Sequence, residues 1–446
     1  MAKIEYITKR TGARVPFSKE RITNAIYRAA VAVGGRDRTI ADGLADQAVA
    51  ILEAQAQPGE APTVEQIQDV VETVLIKNGY ARTAKAYILY RNERTRRREE
   101  QARRWARTDD FYPWRTMWEG LDWAVAHDVH TVERLNARIA RGEFADLVRE
   151  ADQAYEEDIA LAAEMVRQRE EPVRVVVIAG PSSSGKTTTT IKFGHLLQQQ
   201  GLHLVPLTVD HYFHDLEMHP KDEHGDYDYE TPQALDLALI NEHLQRLLAG
   251  EEVCIPSYDF RTGRQRPDHT PMRIGPHDVI LIDSLHGLYA EMTASVDDEA
   301  KFRLYIEPLL QCKGPDGEYV RYTDLRLMRR MERDSKYRAY DPTRTLEHWH
   351  YVRSSELRNI IAYIHTADYV VNSGLPYELP VMRTRLLDSF ARWVEQYRDD
   401  PLRHDAFERA ERVHRLLQAV TPVTDESAIP PDSLLREFIG GSCYQY

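Results

Sequence analysis

A glycine-rich segment near the middle of the chain has the residue types needed to hold a row of phosphate groups. Gly180 is followed by four residues and then by Gly185, Lys186 and Thr187, which is the spacing G-x-x-x-x-G-K-[ST]. Glycines let the backbone turn so that successive N–H groups point inward at an anion, while Lys186 adds a positive charge and Thr187 a hydroxyl for Mg²⁺. The residues expected to contact the phosphates are Gly180, Ser182, Ser183, Ser184, Gly185, Lys186, Thr187 and Thr188. The pattern therefore predicts a site for a nucleoside triphosphate such as ATP, with Mg²⁺.

Two aspartates are predicted to lie beside this loop. The β-branched run Val175–Ile178 is too short for a helix and is typical of a buried parallel strand that leads into the glycine-rich segment. A second strand (LHLVPLTVD) is predicted to finish at Asp210, and a third, Val279–Ile282, to deliver Asp283. Because ligands of open α/β sheets lie at the carboxyl ends of strands, one carboxylate is expected to accept a hydroxyl proton and the other to hold Mg²⁺ or its water. Helix capping or a surface position is the alternative for either aspartate alone.

Residues 321–340 (RYTDLRLMRRMERDSKYRAY) carry too many basic side chains for an ordinary amphipathic helix. Among them are Arg326, Arg329, Arg330, Arg333, Lys336 and Arg338. Phosphoryl transfer spreads negative charge over the γ-phosphoryl oxygens, and guanidinium groups offer paired donors to such oxygens. The segment is therefore predicted to be a mobile, arginine-bearing lid that closes over the phosphates and excludes water. A solvated basic helix is the alternative.

The composition is that of a soluble protein with several domains. The 446 residues exceed one ordinary core, and 42% hydrophobic with 29% charged residues is an ordinary globular balance. The net charge of -13 argues against a nucleic-acid or membrane partner. The 3 cysteines lie far apart without metal-ligand spacing, as expected in a reducing cytosol. Since no apolar leader or membrane-length apolar run is found, the chain is expected to be cytoplasmic.

The first 98 residues are predicted to form a small α+β domain. Residues 3–17 alternate as a short hairpin, four helical patterns follow, and Thr63 with Gln66 forms a capping box before the third of them. The segments ITKRTGARVPF, KERITNAIYRA, TVEQIQDVVE and GYARTAKAYILYR, in this order, resemble the ATP-cone. That family is a nucleotide-sensing module at the N-terminus of ribonucleotide reductases and of some transcriptional regulators.

The resemblance to the ATP-cone implies that ATP or dATP acts as an effector, and that copies of the chain associate into a homo-oligomer. The residues that match its nucleotide contacts are Lys9, Arg10, Thr63 and Arg91. A basic pair on a hairpin turn has the charge to bind phosphate. Solvated turn charges are the alternative for Lys9 and Arg10.

The larger part of the chain, over roughly residues 173–380, resembles the uridine kinase/phosphoribulokinase family of P-loop kinases. The matching segments are GPSSSGKTT, TVDHYF, YDYETPQALD, IPSYDF, ILIDSLHGL, RLMRRMERD and ADYVVNSG. The tail IPPDSLLREFIGGS resembles the end of the long bacterial uridine-kinase-like proteins. The resemblance implies an α/β fold, with a P-loop parallel sheet and helices on both faces, and transfer of the γ-phosphoryl group of ATP to a nucleoside-like hydroxyl.

The same resemblance assigns roles to individual residues. Asp210 matches the acid that activates the acceptor hydroxyl and helps to bind Mg²⁺, and Glu230 falls where the family contacts the ribose hydroxyls. Tyr258 matches an aromatic residue of the nucleoside pocket. The lid arginines that touch substrate and phosphates are Arg330, Arg333 and Arg338.

Several departures from the family pattern affect the acceptor. The base-reading histidine of pyrimidine nucleoside kinases is replaced at or near Gly263, a lid arginine is replaced by Tyr340, and the usual Glu-Gly after the third strand is Asp283-Ser284. Because a lost base-reading hydrogen bond weakens discrimination by orders of magnitude, a sugar phosphate or a polyol is an alternative acceptor. A nucleotide-sensing regulator with a weakly active kinase domain is a third hypothesis, motivated by Asp283-Ser284 and Tyr340.

The chain is thus predicted to contain four parts. They are an ATP-cone over residues 1–98, a helical linker over 99–172, a P-loop kinase domain over 173–395 and a C-terminal helical tail over 396–446. The tryptophans around the linker, including Trp114 and Trp118, are expected to pack between domains.

Overall fold

In the computed structural model the chain divides into two compact units. One consists of Met1–Asp109 with Gln396–Phe407, and the other of Asp110–Glu395 with Glu408–Tyr446. The residues that the structure describes are 4–8, 14–31, 33–35, 37–55, 61–88, 112–219, 231–338 and 340–445. Within these ranges no helix is both long and apolar enough to span a bilayer.

The first unit contains the predicted hairpin and helices. Its elements are β1 (Tyr6–Thr8), β2 (Arg14–Pro16), α1 (Lys19–Val31), α2 (Arg38–Gln55), α3 (Val64–Lys77) and a helical stretch over residues 81–88. The two strands pair antiparallel. Apolar residues recur on α2 at spacings of three and four, so Leu44, Ala48 and Leu52 face one core with Val71 and Val74 of α3.

The start of α3 is fixed by the predicted capping box. The Gln66 N–H donates to Thr63 Oγ1 at 3.2 Å, and the Thr63 N–H donates to Gln66 Oε1 at 2.8 Å. Thr63 also lies beside Thr8 at the end of β1, where the Thr8 N–H donates to the Pro62 carbonyl at 2.9 Å. Two donors that the helix leaves without partners are therefore satisfied next to the hairpin.

The second unit is built on a five-stranded parallel sheet with the order β4–β7–β3–β8–β9. The strands of this unit are β3 (Val175–Ala179), β4 (His203–Thr208), β5 (Val253–Asp259), β6 (Arg264–Met272), β7 (Asp278–Ser284), β8 (Lys301–Glu307) and β9 (Tyr369–Asn372). Because β7 and β8 flank β3, all five of its side chains are buried, as its β-branched run predicts. The antiparallel pair β5–β6 forms a separate small sheet.

Helices surround this sheet in the order of the chain. They are α4 (Trp114–Ala126), α5 (Val132–Ala140), α6 (Phe144–Arg167), α7 (Lys186–Gln199), α8 (Leu237–Leu248), α9 (Tyr322–Tyr337), α10 (Pro342–Asn359), α11 (Glu378–Tyr397), α12 (His404–Ala419) and the short α13 (Arg436–Ile439).

Helices α4 to α6 differ from the predicted linker, because they belong to the second unit. The Tyr155 hydroxyl on α6 lies 2.6 Å from the Thr189 hydroxyl on α7, and the Asn372 N–H on β9 donates to Asp158 at 2.9 Å. Trp114 and Trp118 are 54% and 68% exposed, and the packing between domains expected of the tryptophans stays a prediction.

Candidate active site

The glycine-rich loop connects β3 to α7 through backbone conformations that glycine favours. Gly185, the N-cap of α7, has a φ of 96°, and a Cβ at Gly180 would lie 2.5 Å from the Ile306 carbonyl oxygen. Ser183 also has a positive φ, 60°, which is uncommon for a residue with a side chain. The loop is therefore held in a tight curve at the carboxyl end of the central strand.

This loop has polar groups available to an anion. The Ser183 and Ser184 side chains are buried, and their hydroxyl oxygens lack a hydrogen-bond partner within the described residues. The loop also leads into the N-terminus of α7, where the first N–H groups of a helix have no intrahelical acceptor. Phosphate oxygens are acceptors, so this donor-rich loop fits a polyphosphate.

Lys186 is the first residue of α7 and is partly buried. Burial lowers the pKa of its ammonium, and the charges of Asp283 and Glu437 oppose that shift. Its Nζ donates to the Pro181 carbonyl at 3.4 Å. The Asp283 and Glu437 carboxylates are thus near enough for their charges to act on the Lys186 ammonium.

The two predicted aspartates lie at the same edge of the sheet. Strands β4 and β7 are neighbours with Thr208 opposite Asp283, and Asp210 follows in a 3₁₀ turn over Val209–Tyr212. Asp210 is therefore two residues beyond the end of β4, and Asp283 lies within β7 rather than after it. Strand β4 ends at Thr208, two residues before the strand end predicted at Asp210.

The protonation of these two carboxyl groups is coupled to Lys186. The surrounding protein raises the pKa of Asp210, although its side chain is open to solvent on one side, and the charges of His211 and Lys186 oppose the shift. Burial likewise raises the pKa of Asp283, which the Lys186 charge lowers and the Asp210 charge raises. The two aspartates and the lysine thus share one electrostatic environment.

Helix α9 carries the basic segment, and two of its arginines, Arg326 and Arg329, are fully buried. The closing movement expected of a lid stays a prediction. Arg326 donates to Glu356 at 2.6 and 2.8 Å and to the Ser182 carbonyl at 3.1 Å. Arg329 donates to Glu378 at 2.7 and 2.9 Å and reaches the Ser184 carbonyl at 3.4 Å. These two arginines contact backbone carbonyls of the phosphate loop, and buried carboxylates neutralise their charges.

The three arginines predicted to touch phosphates gather around the buried carboxylate of Asp334, which lies on the same helix as Arg330 and Arg333. Arg330 Nε lies 3.3 Å, Arg333 Nη2 2.8 Å and Arg338 Nε 3.7 Å from its carboxylate oxygens. Arg330 also reaches the Ser182 hydroxyl at 3.4 Å, and Arg338 is 62% exposed. Burial lowers the pKa of Arg333, and Asp334 opposes this shift. The Asp334 carboxylate thus forms ion pairs with three arginines near the loop.

Tyr258 lies in an aromatic cluster with Phe213, His219 and Phe260. The ring centroids of Phe213 and Tyr258 are 5.4 Å apart, those of Tyr258 and Phe260 4.9 Å, and His219 stacks on Tyr258 at 6.3 Å. The sequence singled out only Tyr258, although Phe213 and Phe260 stand in the TVDHYF and IPSYDF segments.

Gly263, at or near which the resemblance places the base-reading histidine, packs against the Leu216 side chain. Gly263 has a φ of 65°, and a Cβ there would lie 2.8 Å from Leu216 Cβ. The Leu216 N–H also donates to the Gly263 carbonyl at 2.8 Å. A side chain at this position therefore requires the loop that carries Leu216 to move. Tyr340 is 37% exposed, and its N–H donates to the Asp334 carbonyl at 3.1 Å.

Some predicted residues lie outside the described part of the chain. They are Lys9, Arg10, Arg91 and Glu230. Thr63 is described, and its hydroxyl caps α3 beside the strand that leads to Lys9.

The groups available to Mg²⁺ are few. Within the described residues there is no group of three or more histidine, cysteine, aspartate or glutamate side chains suited to a metal. Thr187 is exposed at the loop, and Asp283, which accepts from Thr190 at 3.5 Å, lies on the adjacent strand. Mg²⁺ commonly binds through one or two carboxylates, phosphates and water, so Thr187, Asp210 and Asp283 fit such an ion.

Glu437 is the residue in this region that sequence reasoning missed. Its carboxylate accepts from the Thr188 N–H at 3.1 Å and from the Thr188 hydroxyl at 2.7 Å. The signal was the resemblance of the tail IPPDSLLREFIGGS, which carried no assigned role.

Comparison with known proteins gives family matches to two separate parts of the chain. The model of the phosphoribulokinase / uridine kinase family matches residues 175–378, and that of the ATP cone domain matches residues 5–96. A uridine kinase of Bacillus cereus is 33% identical over 168 residues, which are 37% of this chain and 68% of the relative.

Two further relatives illustrate how the matches are distributed. A uridine kinase of Halobacterium salinarum is 29% identical over 163 residues, which are 36% of this chain and 63% of the relative, so less than two thirds of its length is matched. A vitamin B12-dependent ribonucleoside-diphosphate reductase of Thermoplasma acidophilum is 44% identical over 103 residues, which are 22% of this chain and 13% of the relative.

Proposed function

The chain belongs to the phosphoribulokinase/uridine kinase family, and from this premise we propose that it transfers the γ-phosphoryl group of ATP to a hydroxyl of a small molecule, with a nucleoside 5′-hydroxyl as the acceptor. One observation carries the proposal. The phosphate loop follows β3, and the neighbouring strand β7 carries Asp283 opposite Thr208, the last residue of β4. Asp210 stands two residues further along the chain, and the charge of Lys186 acts on both carboxylates. A triphosphate bound in the loop would then have its terminal phosphoryl group beside both carboxylates.

In this proposal the loop, the arginines of α9 and Asp210 have different roles in phosphoryl transfer. The loop and Lys186 hold the β- and γ-phosphates, while Arg330, Arg333 and Arg338 neutralise charge on the oxygens of the transferred group. Asp210 accepts the proton of the acceptor hydroxyl as its oxygen forms a bond to the γ-phosphorus and the bond to ADP breaks. Positioning supplies most of the acceleration, since the transition state is loose and needs little covalent help.

Mg²⁺ would be held by Thr187, Asp210 and Asp283 together with phosphate oxygens and water, and when bound it neutralises charge on those oxygens. Burial raises the pKa of the Asp283 carboxyl group. A bound cation would act in the opposite direction and favour the ionised form that can bind the metal.

The aromatic cluster around Tyr258 supports a nucleoside acceptor, because a base can stack on such rings. In this proposal Glu230 contacts the ribose hydroxyls, as the family resemblance implies. The packing of Gly263 against Leu216 favours a second candidate, a sugar phosphate or polyol, since it removes the position from which the base would be read.

A panel of acceptors with radiolabelled ATP and Mg²⁺ separates these candidates. Labelling of uridine, cytidine or another nucleoside in preference to sugars supports the first, and labelling of a sugar phosphate or polyol supports the second. The Lys186→Ala protein is the control for contaminating kinases, because it lacks the loop ammonium. Absence of transfer to every acceptor, despite ATP binding, favours a nucleotide-sensing regulator and contradicts both kinase proposals.

We also propose that the N-terminal unit senses ATP or dATP and controls assembly of a homo-oligomer. The match of residues 5–96 to the ATP cone domain supports it, as does the position of Thr63 beside the strand that leads to Lys9 and Arg10. Size-exclusion chromatography and transfer rates are measured with and without dATP for the wild type and for the Lys9→Ala/Arg10→Ala double variant. A response retained by the double variant contradicts the assignment of these residues.

A further inference from the structure

The C-terminal segment 430–443 packs against the phosphate loop and against the arginine helix α9. Several of its side chains are fully or nearly fully buried, namely Ser433, Leu434, Leu435, Glu437, Phe438 and Ile439. Leu434 lies over the loop, since a Cβ at Gly185 would be 2.6 Å from Leu434 Cδ1. The Arg329 guanidinium stands 5.1 Å from the centre of the Phe438 ring, and Lys336 donates to the Ile439 carbonyl. The segment thus touches both elements that are proposed to handle phosphate.

Within this segment the Glu437 carboxylate binds at the N-terminus of α7, where a phosphate group is expected. Thr188 is the third residue of α7, and the first N–H groups of a helix point out of its N-terminus toward an external acceptor. Such N–H groups after a glycine-rich loop are the ones that cradle phosphates. Here the Glu437 carboxylate takes that N–H and the Thr188 hydroxyl, at 3.1 and 2.7 Å.

The charge of Glu437 also reaches the other parts of the site. It opposes the lowering of the pKa of Lys186 and of Arg333, and it adds to the raised pKa of Asp283. A carboxylate in this place therefore acts on the same cations that a phosphate would meet.

We propose that the C-terminal segment is an intramolecular occupant of the phosphate cradle, in which the Glu437 carboxylate holds Thr188 in place of a nucleotide phosphate and must leave when ATP binds. This inference rests on the proposed ATP site. Since only the released fraction of molecules accepts nucleotide, the apparent dissociation constant for ATP is raised by the seated tail. The segment thereby makes nucleotide affinity depend on how firmly residues 430–443 are held.

The first test uses the unaltered full-length protein. Hydrogen–deuterium exchange is compared with and without saturating ATP and Mg²⁺, with ADP as a second nucleotide. The amides of Glu437, Phe438 and Ile439, which donate to Leu434 and Leu435 carbonyls, are expected to exchange at least about tenfold faster with nucleotide, about 1.4 kcal/mol in the opening equilibrium. Unchanged or slower exchange at these amides in nucleotide-bound protein overturns the proposal.

The second test measures ATP affinity by calorimetry in the Glu437→Gln and Glu437→Ala proteins. Removing the charge is expected to tighten ATP binding by about tenfold, because a charge-assisted hydrogen bond no longer competes for Thr188. Glu242→Gln is the matched control, since Glu242 pairs with Arg246 on the surface of α8, outside residues 430–443, and the variant is expected to stay within about twofold of wild type. Equal or weaker binding by Glu437→Gln means that Glu437 is a permanent helix cap and overturns the inference.

Phosphoryl transfer by the same proteins keeps the two proposals apart. If the wild type transfers phosphate and Glu437→Gln binds ATP no more tightly, the kinase proposal stands and the tail inference fails. If none of the proteins binds ATP, both fail. The exchange experiment requires no substitution, so the inference can be overturned even if the Glu437→Ala protein does not fold.

Discussion

The Arg326 guanidinium and the Glu356 carboxylate form two hydrogen bonds of 2.6 and 2.8 Å in the interior, where Arg326 is fully buried and Glu356 is 2% exposed. Burial alone would raise the pKa of Glu356, but the charge of Arg326 holds it below its ordinary value. Because Arg326 also donates to the Ser182 carbonyl, this ion pair couples helices α9 and α10 to the phosphate loop.

Glu356→Gln is expected to lower the free energy of unfolding of the second unit by about 3 kcal/mol, because it leaves a buried arginine partly unpaired. The measurement is urea unfolding followed by tryptophan fluorescence, since Trp349 is buried and its ring lies 5.6 Å from the Arg326 guanidinium carbon. Glu119→Gln is the control, because Glu119 pairs with Arg115 at the surface and should cost less than about 1 kcal/mol. Equal effects of the two substitutions would show that the buried pair adds nothing specific.

Asp210→Asn is expected to lower kcat by at least about a hundredfold while the Kd for ATP stays within about threefold, since a general base acts on the acceptor hydroxyl and not on ATP binding. Transfer is measured with the best acceptor from the panel. Asp278→Asn, at the opposite end of β7 from Asp283, should keep kcat within about twofold. A loss of less than about tenfold in Asp210→Asn, or about 1.4 kcal/mol, rules out Asp210 as the base.

Local patterns predicted the parts of the fold that neighbouring residues determine. The β-branched run of β3 gave a fully buried strand, and Thr63 with Gln66 formed the expected capping box, because burial on both faces and helix capping are read within a few residues. The parallel sheet followed from the same reasoning, and Asp283 lies one residue before the end of β7 rather than after it.

Contacts between residues far apart in the chain could not be predicted from the sequence. In a helix as basic as α9, no pattern indicates that Arg326 and Arg329 pair with carboxylates of other helices, whereas Arg330 and Arg333 share Asp334 of their own helix. Glu437 meets Thr188 across 249 positions of the chain, so no local signal reports the contact. The roles of Arg330, Arg333 and Arg338 in transfer stay predictions.

The stability of the second unit is expected to depend on pH through His286. Burial and the nearby Lys186 charge lower the pKa of this imidazole from its ordinary 6.5 to about 4. As the pH falls from 6.5 to 4, the unfolded chain takes up a proton that the folded protein excludes, so up to about 3 kcal/mol of stability is lost in this window. His286→Gln should lose less stability between pH 6.5 and 4 than the wild type in urea unfolding.

One control variant and one other titrating group bear on the interpretation of the His286 experiment. His277→Gln removes an exposed histidine and should keep the wild-type pH dependence. Asp152 acts in the opposite sense, because burial raises its pKa to about 6 and its contribution is therefore lost as the pH rises through that value. If the wild type and His286→Gln lose the same stability over this window, the imidazole does not titrate as described.

Gly185→Ala is expected to weaken ATP binding by at least about tenfold, because the added methyl group forces the cradle to move its N–H groups. Gly185 has a φ of 96° within the loop, and this constraint remains when the proposed release of residues 430–443 removes the contact of its Cβ with Leu434. Gly250 has a φ of 80° outside the loop, with no atom within 4 Å of a Cβ. Gly250→Ala is therefore the matched control: both substitutions incur a left-handed backbone penalty of about 1–2 kcal/mol, but only Gly185→Ala also disturbs the loop. Calorimetry with ATP measures the difference, and wild-type affinity in Gly185→Ala would mean that ATP does not bind in this loop.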